Sequence, residues 1–358
     1  MKKIIAMLLI LVMLIPTAVS IAADYKNSAT DCNKNKVVSK QEYELTSGAT
    51  ETAYVLNTLT YSDRNRVDAV EVDLSNPNVS AEPGYYNIAG FSSSNLAQQT
   101  VLAHADYAEN TQGKDVVAAI NISSTWTCNA PYGLLIYNGV MLYDSRSRCP
   151  SCSSSHKGGG YLVITDDGRA ELREPNAALK GNELHAVTLW GNVLVKNGVN
   201  QFGEDHGSGT SRSAIGIKAD GTLVLVGNER SEESVSNGMT MHEIADTMLS
   251  LGCENAIACE GGGATVTYTK RAGEDSLSVR TVPSDGYPRT TSTSLLITAN
   301  GSEARKVASG HMGVMAKWTL DSNGNLTVSG NGAMPDFTAG EKPWSQYTDR
   351  YPITRVVI

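Results

Sequence analysis

The sequence predicts an α+β fold: a mixed β-sheet domain with a few helices, followed by a small C-terminal β module. Short apolar runs bounded by Gly, Asn or Asp recur along most of the chain, which is the pattern of strands and turns. Residues 100–110 and 241–251 instead carry apolar residues at helical spacing. Because strands dominate, with two or three helices between them, the pattern predicts an α+β domain.

The first 23 residues have the pattern of a secretory signal peptide. Lys2 and Lys3 precede an apolar run over residues 4–15, and small residues follow up to Ala23. The run is too short to span a bilayer as a helix, so an uncleaved anchor is the less favoured alternative. We therefore expect residues 1–23 to be removed and the protein to be secreted or held at the cell surface.

The mature chain is expected to be acidic. Removal of residues 1–23 takes away two lysines and no acids, so the net charge of −8 becomes −10. An acidic surface argues against nucleic acid, or an anionic membrane, as a main partner. With 41% apolar and 18% charged residues, the composition is that of an ordinary globular protein. Basic residues that contact an anionic substrate must therefore be placed locally.

The elements can be predicted in chain order. Residues 24–53 are polar and weakly patterned, which predicts an extended N-terminal extension, and residues 54–300 are predicted to form the main domain. Besides the two helices, period-2 alternation and short apolar runs predict strands at 67–74, 116–120, 134–138, 161–165, 186–190, 193–196, 214–218, 222–226 and 255–259.

A second unit is predicted at the C-terminus. The composition loosens over residues 301–315, which indicates a linker, and residues 318–330 form a hairpin pattern around a Ser-Asn-Gly turn. With Pro335, Phe337 and Trp344, residues 316–358 resemble a short β module of bacterial surface proteins. That resemblance implies cell-surface attachment or packing. The pattern stops at residues 356–358, which suggests a truncated or a naturally short C-terminus.

Six cysteines in an exported chain suggest disulfides. Six cysteines allow fifteen pairings, so the sequence does not fix them. Cys149 and Cys152 have the spacing of a redox motif but lie in a Ser/Gly-rich loop, so we expect a loop staple that involves Cys128. A zinc site built from Cys128, Cys149 and Cys152 is the alternative. The remaining cysteines are Cys32, Cys253 and Cys259.

The stretch NAIACEGGGA at residues 255–264 is the strongest candidate for a site. A short apolar run that ends in a carboxylate predicts a buried strand that delivers Glu260 to the mouth of a site. Gly261, Gly262 and Gly263 can adopt positive φ, and successive amides held that way bind anions. Upstream, Thr240 and Glu243 form a capping-box pattern at the start of the second helix.

Several motifs occur in the order of one known family. They are SRSAIGI at 211–217, DGTL at 220–223, SNGMT at 236–240 and EGGG at 260–263, with VEVDLSNPNV at 70–79 and VVAAIN at 116–121 further upstream. Together they resemble the phosphodiester glycosidase family over residues 54–298. The resemblance implies an exported hydrolase that cleaves a sugar-1-phosphodiester, of the N-acetylglucosamine-1-phosphate type, in glycans or cell-wall polymers.

The resemblance also implies roles for individual residues. Glu260 is the predicted base, nucleophile or electrostatic stabiliser at the anomeric carbon. Arg212 is the predicted phosphate anchor, because a guanidinium binds phosphate oxygens in pairs. Arg230 is a further catalytic candidate. The predicted substrate-binding residues are Asn121, Gly238, Gly261, Gly262, Gly263, Asp285 and Arg289. Separately from the resemblance, the position of His206 a few residues before Arg212 makes it a low-weight candidate for a proton shuttle.

Some positions depart from the family pattern, which usually has Asp at position 260, Asp at position 228 and small or acidic residues around position 123. This chain has Glu260, Asn228 and Ser123 there, and Ala264 replaces a Ser. A catalytically impaired relative that binds glycan phosphates at a cell surface is therefore the alternative function. No cofactor is predicted with certainty; Glu204, Asp205 and Glu260 leave open a divalent cation held by hard oxygen ligands.

Overall fold

A computed structural model describes residues 35–58, 65–87, 98–123, 131–149, 152–204, 207–231, 236–300, 306–312, 316–321, 324–330, 336–338, 341–348 and 352–358. The predicted signal peptide lies outside these ranges, as do Cys32, Cys128, Asp205 and His206. Within these ranges, no helix is long and apolar enough to cross a membrane.

The largest sheet has eight strands, and every neighbouring pair in it is antiparallel. Its strands, in spatial order and numbered along the chain, are β1 (Lys36–Thr46), β2 (Ala49–Asn57), β3 (Asn65–Val72), β14 (Leu223–Asn228), β13 (Arg212–Lys218), β17 (Cys253–Ala258), β11 (Val193–Lys196) and β12 (Val199–Asn200).

Two five-stranded antiparallel sheets complete the main body. The second sheet consists of β19 (Ser278–Thr281), β18 (Thr267–Thr269), β5 (Asp115–Asn121), β20 (Ser294–Ala299) and β4 (Val79–Gly84). The third consists of β7 (Val140–Asp144), β6 (Leu134–Tyr137), β10 (Glu183–Leu189), β8 (Gly160–Thr165) and β9 (Ala170–Arg173). A short pair is formed by β15 (Arg230–Ser231) and β16 (Ser236–Asn237).

Both predicted helices are confirmed. In α1 (Val101–Gln112) the hydroxyl of Thr100 accepts a bond from the N–H of Ala103 at the N-terminus. In α2 (Met241–Ser250) the predicted capping box is complete, with the Thr240 hydroxyl accepting from the N–H of Glu243 and the Glu243 carboxylate accepting from the N–H of Thr240. Such caps satisfy amides that no helical carbonyl reaches.

The central strands of the first sheet, such as β14, are buried on both faces because each face packs against a different layer. Side chains alternate along a strand. On β14, Leu225 faces the core shared with the other two large sheets, whereas Val224 and Val226 pack with α2. On β5, Ile120 likewise belongs to the shared core and Ala119 packs with α1. The resulting α+β arrangement explains why these strands appear as continuous apolar runs in the sequence.

The N-terminal segment differs from its prediction. Residues 24–53 were expected to form an extended segment ahead of the main domain. Instead, β1 and β2 form a hairpin that crosses the predicted boundary at residue 54 and extends the first sheet. Most side chains of β1 are exposed or half-buried, and fully buried Glu51 interrupts β2 with a charge. Glu51 forms an ion pair with Arg271, a partner 220 residues away in sequence. Neither strand therefore shows the apolar alternation on which the prediction depended.

The C-terminal residues form a separate four-stranded sheet. Its order is β21 (Lys306–Met312), β22 (Ala316–Asp321), β23 (Asn325–Gly330) and β24 (Arg355–Val357), and the β23–β24 pair is parallel. The predicted hairpin at 318–330 corresponds to β22 and β23. The predicted linker at 301–315, by contrast, contains β21, whose small and polar residues give no clear strand pattern.

No disulfide joins any two of the four cysteines that lie in the described ranges, Cys149, Cys152, Cys253 and Cys259. Cys253 packs on the α2 side of the first sheet and Cys259 in the shared core on its other side. Burial raises the pKa of the Cys253 thiol to about 12, so this thiol is not a reactive nucleophile at neutral pH. The predicted staple through Cys128 falls outside the described residues.

A buried acid next to the Glu51 ion pair makes the fold sensitive to pH. Burial raises the pKa of the Asp68 carboxyl to about 7, and the Glu51 charge adds to the rise. Below about pH 4 both the folded and the unfolded state carry the Asp68 proton. Between about pH 4 and pH 7 only the folded state retains it, so stability contributed by this group falls as pH rises and is lost above about pH 7.

We expect Asp68→Asn to become progressively more stable than wild type as pH rises from 4 to 8, by up to about 4 kcal/mol in the free energy of unfolding. Urea unfolding at both pH values measures the change. Asp275→Asn, at an exposed position, is the matched control and should show no such trend. A difference between Asp68→Asn and wild type that does not vary with pH would show that Asp68 is ionised in the folded protein.

Candidate active site

Antiparallel pairing brings two predicted site residues to one edge of the first sheet. Ala214 of β13 lies opposite Ala258 of β17, so the start of β13 and the end of β17 coincide. Beyond the ladder, the N–H of Cys259 donates to the Ser213 carbonyl at 2.7 Å and the N–H of Gly262 donates to the Ser211 carbonyl at 2.9 Å. Half-buried Arg212 and Glu260 therefore project from adjacent chain segments.

Asn121, at the end of β5, connects the second sheet to this edge. Its side-chain amide donates to the Glu260 carbonyl at 2.7 Å, and its side-chain oxygen accepts from the Ser213 hydroxyl at 2.7 Å and the Val266 N–H at 3.0 Å. The side chain is 1% exposed. Asn121 therefore holds the backbone of Glu260 in place, and its contact with substrate stays a prediction.

The glycine stretch is a single 3₁₀ turn, Gly262–Ala264. The prediction that three glycine amides face a ligand is wrong for Gly262, because its N–H is used in the bond to Ser211. Gly263 leaves room for a neighbouring side chain: a Cβ at this position would displace the carboxylate of Asp285. The turn therefore lets a carboxylate approach its backbone closely.

Arg212 is held from the side by the backbone of a neighbouring loop. Its Nε donates to the Met239 carbonyl at 3.2 Å, which fixes the plane of the guanidinium. Gly261 lies beside it, and a Cβ there would be 3.7 Å from Nη1. The guanidinium of Arg212 and the backbone after Glu260 are therefore in contact range. The phosphate-anchor role of Arg212 stays a prediction.

The loop that holds Arg212 also contains Gly238. Thr210 and Met239 form an isolated β-bridge, with N–H to carbonyl distances of 3.1 and 2.9 Å. Gly238 has a φ of 77°, and a Cβ there would be 2.7 Å from the Thr210 carbonyl carbon. Only glycine fits such a close approach. The conformation of this loop therefore requires glycine at position 238, and the contact of Gly238 with substrate stays a prediction.

Arg230 lies near the same loop but is anchored differently. Its N–H donates to the Ser211 hydroxyl at 2.9 Å and its Nη1 donates to the Gly209 carbonyl at 3.1 Å. The side chain is exposed. Ser211, which sequence reasoning missed, thus joins two parts of the site, since its hydroxyl binds Arg230 and its carbonyl binds Gly262. The sequence feature that could have identified Ser211 as a site residue is its position directly before Arg212.

The loop after β19 brings an ion pair to the site. Arg289 Nε lies 2.6 Å from Asp285 Oδ2, and the Asp285 carboxylate rests against Gly263. The pKa of the Arg289 guanidinium is raised, chiefly by its hydrogen bond to Asp285 and also by the charge of Glu260. Two arginines and two carboxylates, Arg212, Arg289, Glu260 and Asp285, are therefore gathered around the 3₁₀ turn.

Two departures from the family pattern have structural partners in the protein interior. The side-chain amide of buried Asn228 donates to the Arg66 carbonyl at 3.0 Å and the Glu229 carbonyl at 3.3 Å, bonds that an ionised Asp could not make. The hydroxyl of buried Ser123 lies 2.8 Å from that of Thr293. Both substitutions therefore fit the packing around them.

The cation site that the sequence left open is only partly described. Glu204 is exposed, Asp205 falls outside the described ranges, and within those ranges neither Glu204 nor Glu260 belongs to a group of three metal-binding side chains. His206 lies outside as well, so its predicted shuttle role stays a prediction.

Known proteins match this chain over its main body. A model of the phosphodiester glycosidase family matches residues 106–298. The SPbeta prophage-derived uncharacterized protein YomE of Bacillus subtilis (strain 168) is 31% identical over 183 residues, which are 48% of this chain and 26% of that protein. The chain thus spans about a quarter of the length of that relative.

Two solved structures are also similar. The catalytic domain of zebrafish N-acetylglucosamine-1-phosphodiester alpha-N-acetylglucosaminidase, auto-inhibited by its pro-peptide, is 16% identical with a TM-score of 0.49, over 78% of this chain and 87% of that chain. A hypothetical protein from Synechocystis is 12% identical with a TM-score of 0.49, over 73% of this chain and 64% of that chain. The family match extends over more than half of the sequence, and the chain belongs to the phosphodiester glycosidase family.

Proposed function

We propose that this protein is a hydrolase that cleaves the bond between the anomeric carbon of a sugar and a phosphodiester oxygen, in a glycan or cell-wall polymer. Family membership supports phosphodiester glycosidase-type chemistry in general. The observation that carries the specific proposal is the placement of Arg212 and Glu260 at one sheet edge, fixed by the bonds from Gly262 to Ser211 and from Asn121 to Glu260.

In the proposed reaction, Arg212 binds the phosphate oxygens and Glu260 acts at the anomeric carbon. The C1–O bond breaks and its electron pair leaves with the phosphate, which departs as a phosphomonoester. A water molecule adds to C1, and its proton passes to the Glu260 carboxylate if Glu260 is the base. If Glu260 is instead a nucleophile, it forms a bond to C1 as the phosphate leaves, and water then breaks that bond, adds to C1 and frees the carboxylate. If Glu260 is an electrostatic stabiliser, its charge stabilises the oxocarbenium-like transition state and the proton of the water passes to solvent.

The leaving group explains why a single carboxylate suffices in this scheme. A phosphate already carries negative charge well, so a strong general acid on the leaving side is not needed. A guanidinium that pairs with the phosphate oxygens stabilises the charge that develops on departure. Arg289 interacts electrostatically with Glu260, and in this scheme its guanidinium supplies a second positive charge to the departing phosphate.

The test is release of free N-acetylglucosamine from an N-acetylglucosamine-1-phosphodiester by the purified protein, with and without added Ca²⁺ or Mg²⁺. The substrate is the one given by the name of the zebrafish enzyme. Turnover that is lost in Glu260→Gln and in Arg212→Ala supports the proposal. A wild-type protein that binds the compound in an Arg212-dependent way without turnover would instead be a surface glycan-phosphate binding module. Failure of both turnover and binding would overturn the substrate class.

Asp285 is predicted to oppose phosphate in the resting site. Its carboxylate rests against the 3₁₀ turn and neutralises Arg289, so an incoming phosphate meets a like charge. We expect Asp285→Asn to tighten competitive inhibition by inorganic phosphate several-fold, since a partly exposed charge contributes on the order of 1 kcal/mol. Inhibition constants measured at low and high salt test this, with Asp275→Asn as control. Weaker inhibition would show that Asp285 serves mainly to orient Arg289.

A further inference from the structure

A cluster of metal-binding side chains lies in the loop between β7 and β8, outside the site described above. One sulfur from each of Cys149 and Cys152 and one ring nitrogen of His156 all lie within 4.8 Å of one another. Cys149 is fully buried and His156 is 3% exposed. Among the residues that the structure describes, no other three His, Cys, Asp or Glu side chains bring their ligand atoms this close together.

The loop is built to hold these side chains together. The N–H of Cys149 donates to the Ser154 carbonyl at 2.6 Å, and the N–H of Ser153 donates to the Cys149 carbonyl at 2.9 Å. The N–H of His156 donates to the Ser145 carbonyl at 3.0 Å, which fixes the backbone that carries the imidazole. The cluster therefore rests on closed backbone turns.

The hydrogen bonds around His156 favour one tautomer of its ring. Nδ1 lies 3.2 Å from the Ser145 hydroxyl, and Nε2 lies 3.3 Å from the Cys152 sulfur. The Ser145 hydroxyl has the Pro131 and Gly133 carbonyls within reach of its own proton, at 3.5 and 3.4 Å, so its oxygen can accept from Nδ1–H. A proton on Nδ1 leaves a lone pair on Nε2 aimed at the sulfur. A hydrogen bond at the second ring nitrogen commonly orients a metal-binding histidine in this way.

We propose that Cys149, Cys152 and His156 bind a zinc ion. Two thiolates and a neutral imidazole balance the charge of Zn²⁺, and binding releases the two thiol protons to solvent. Zinc–sulfur and zinc–nitrogen bonds of about 2.3 and 2.0 Å in a tetrahedron separate the donors by about 3.5 Å, close to the observed distance of Nε2 from the Cys152 sulfur.

The position of His156 favours a metal over a disulfide between the two cysteines. A disulfide sulfur has no proton to donate, so a disulfide would leave the Nε2 lone pair of His156 without a hydrogen-bond donor at the Cys152 sulfur. A zinc ion uses all three side chains at once, and the thiolate and imidazole ligands are those that zinc prefers. The sequence spacing suggested Cys149 and Cys152, whereas the third ligand comes from a histidine that spacing alone did not single out.

The proposed zinc site contacts a pair of aromatic side chains, Tyr132 and Trp190. His156 stacks on Tyr132 with ring centroids 4.7 Å apart and planes 11° apart, and Tyr132 meets Trp190 edge-on at 4.5 Å. The next residue, Gly191, donates its N–H to the Ala258 carbonyl at 2.9 Å, and Ala258 is two residues before Glu260. Zinc binding would therefore fix these rings next to the end of β17, the strand that leads to Glu260, without taking part in the reaction.

The test is the zinc content of the purified full-length chain, measured by inductively coupled plasma mass spectrometry after exchange into metal-free buffer. We expect about one zinc ion per chain in wild type and in the control Cys253→Ala, and less than about a tenth in Cys149→Ser/Cys152→Ser and in His156→Ala. Circular dichroism identifies any variant that fails to fold.

A second measurement uses wild type alone and so does not depend on the variants folding. Replacement of zinc by Co²⁺ should give the ligand-field bands of a tetrahedral ion together with thiolate-to-cobalt charge transfer. Chelation should expose Cys149 and Cys152 to alkylation, as mapped on peptides. The proposal is overturned by a wild-type protein that holds no zinc, by undiminished zinc in His156→Ala, or by a disulfide from Cys149 or Cys152 to any cysteine in the protein as isolated.

Discussion

Glu260→Gln is expected to lower kcat for hydrolysis of the sugar-1-phosphodiester by about 1,000-fold, with little change in KM. Gln keeps the shape of the side chain but removes the negative charge that would activate water or stabilise the oxocarbenium-like transition state. The bond from Asn121 is kept in this variant, because it goes to the backbone carbonyl of residue 260. The measurement is the steady-state rate of N-acetylglucosamine release.

Two further variants sharpen this result. Glu254→Gln removes an exposed carboxylate from the same strand, β17, and should leave kcat unchanged. Glu260→Asp withdraws the carboxylate by one methylene, to the side chain that the family pattern carries there, and should retain more activity than Glu260→Gln. A Glu260→Gln enzyme with near-wild-type kcat would exclude Glu260 as the catalytic carboxylate. Asp285, the other carboxylate at the turn, would then be the candidate.

Local pattern predicted the elements around Glu260 well, because their signals lie within a few residues of each other. The capping box of α2 joins Thr240 to Glu243, three positions away, and the β13–β14 hairpin turns at Gly221. The end of β17, Ala256 to Ala258, is apolar and buried, and this short run is likewise visible within a local window of the sequence. That Arg212 and Glu260 belong to one site was predicted from the resemblance to the phosphodiester glycosidase family, and not from any local pattern.

What the sequence could not supply depends on long-range partners. Asn121 lies 139 residues from Glu260 and its role follows only from the meeting of two sheets. Gly262 resembles an anion-binding amide until the Ser211 carbonyl is found opposite its N–H. Glu51 disguises β2 as a polar segment because the arginine that neutralises it comes from the other end of the main body. Each is a pairing that no local window contains.

Arg212→Ala is expected to lower kcat/KM by about 100-fold, because the loss of a charge-assisted pair of bonds to phosphate corresponds to about 3 kcal/mol. Nε donates to the Met239 carbonyl, so the guanidinium plane is set before substrate arrives and Lys cannot reproduce it. Arg212→Lys should therefore recover only a small part of the loss. Arg169→Ala, which removes an exposed ion pair with Asp167, is the matched control and should leave kcat/KM unchanged.

The two variants also separate the roles of the two residues. If Arg212 anchors the phosphate and Glu260 acts at the sugar, inorganic phosphate should inhibit the Glu260→Gln protein's ligand binding as in wild type, whereas Arg212→Ala should lose this competition. Equilibrium binding of the intact phosphodiester, displaced by phosphate, measures both. Retained competition in Arg212→Ala would place the phosphate on Arg289 or Arg230 instead, since these are the other predicted site arginines, and would reverse the orientation of the substrate across the 3₁₀ turn.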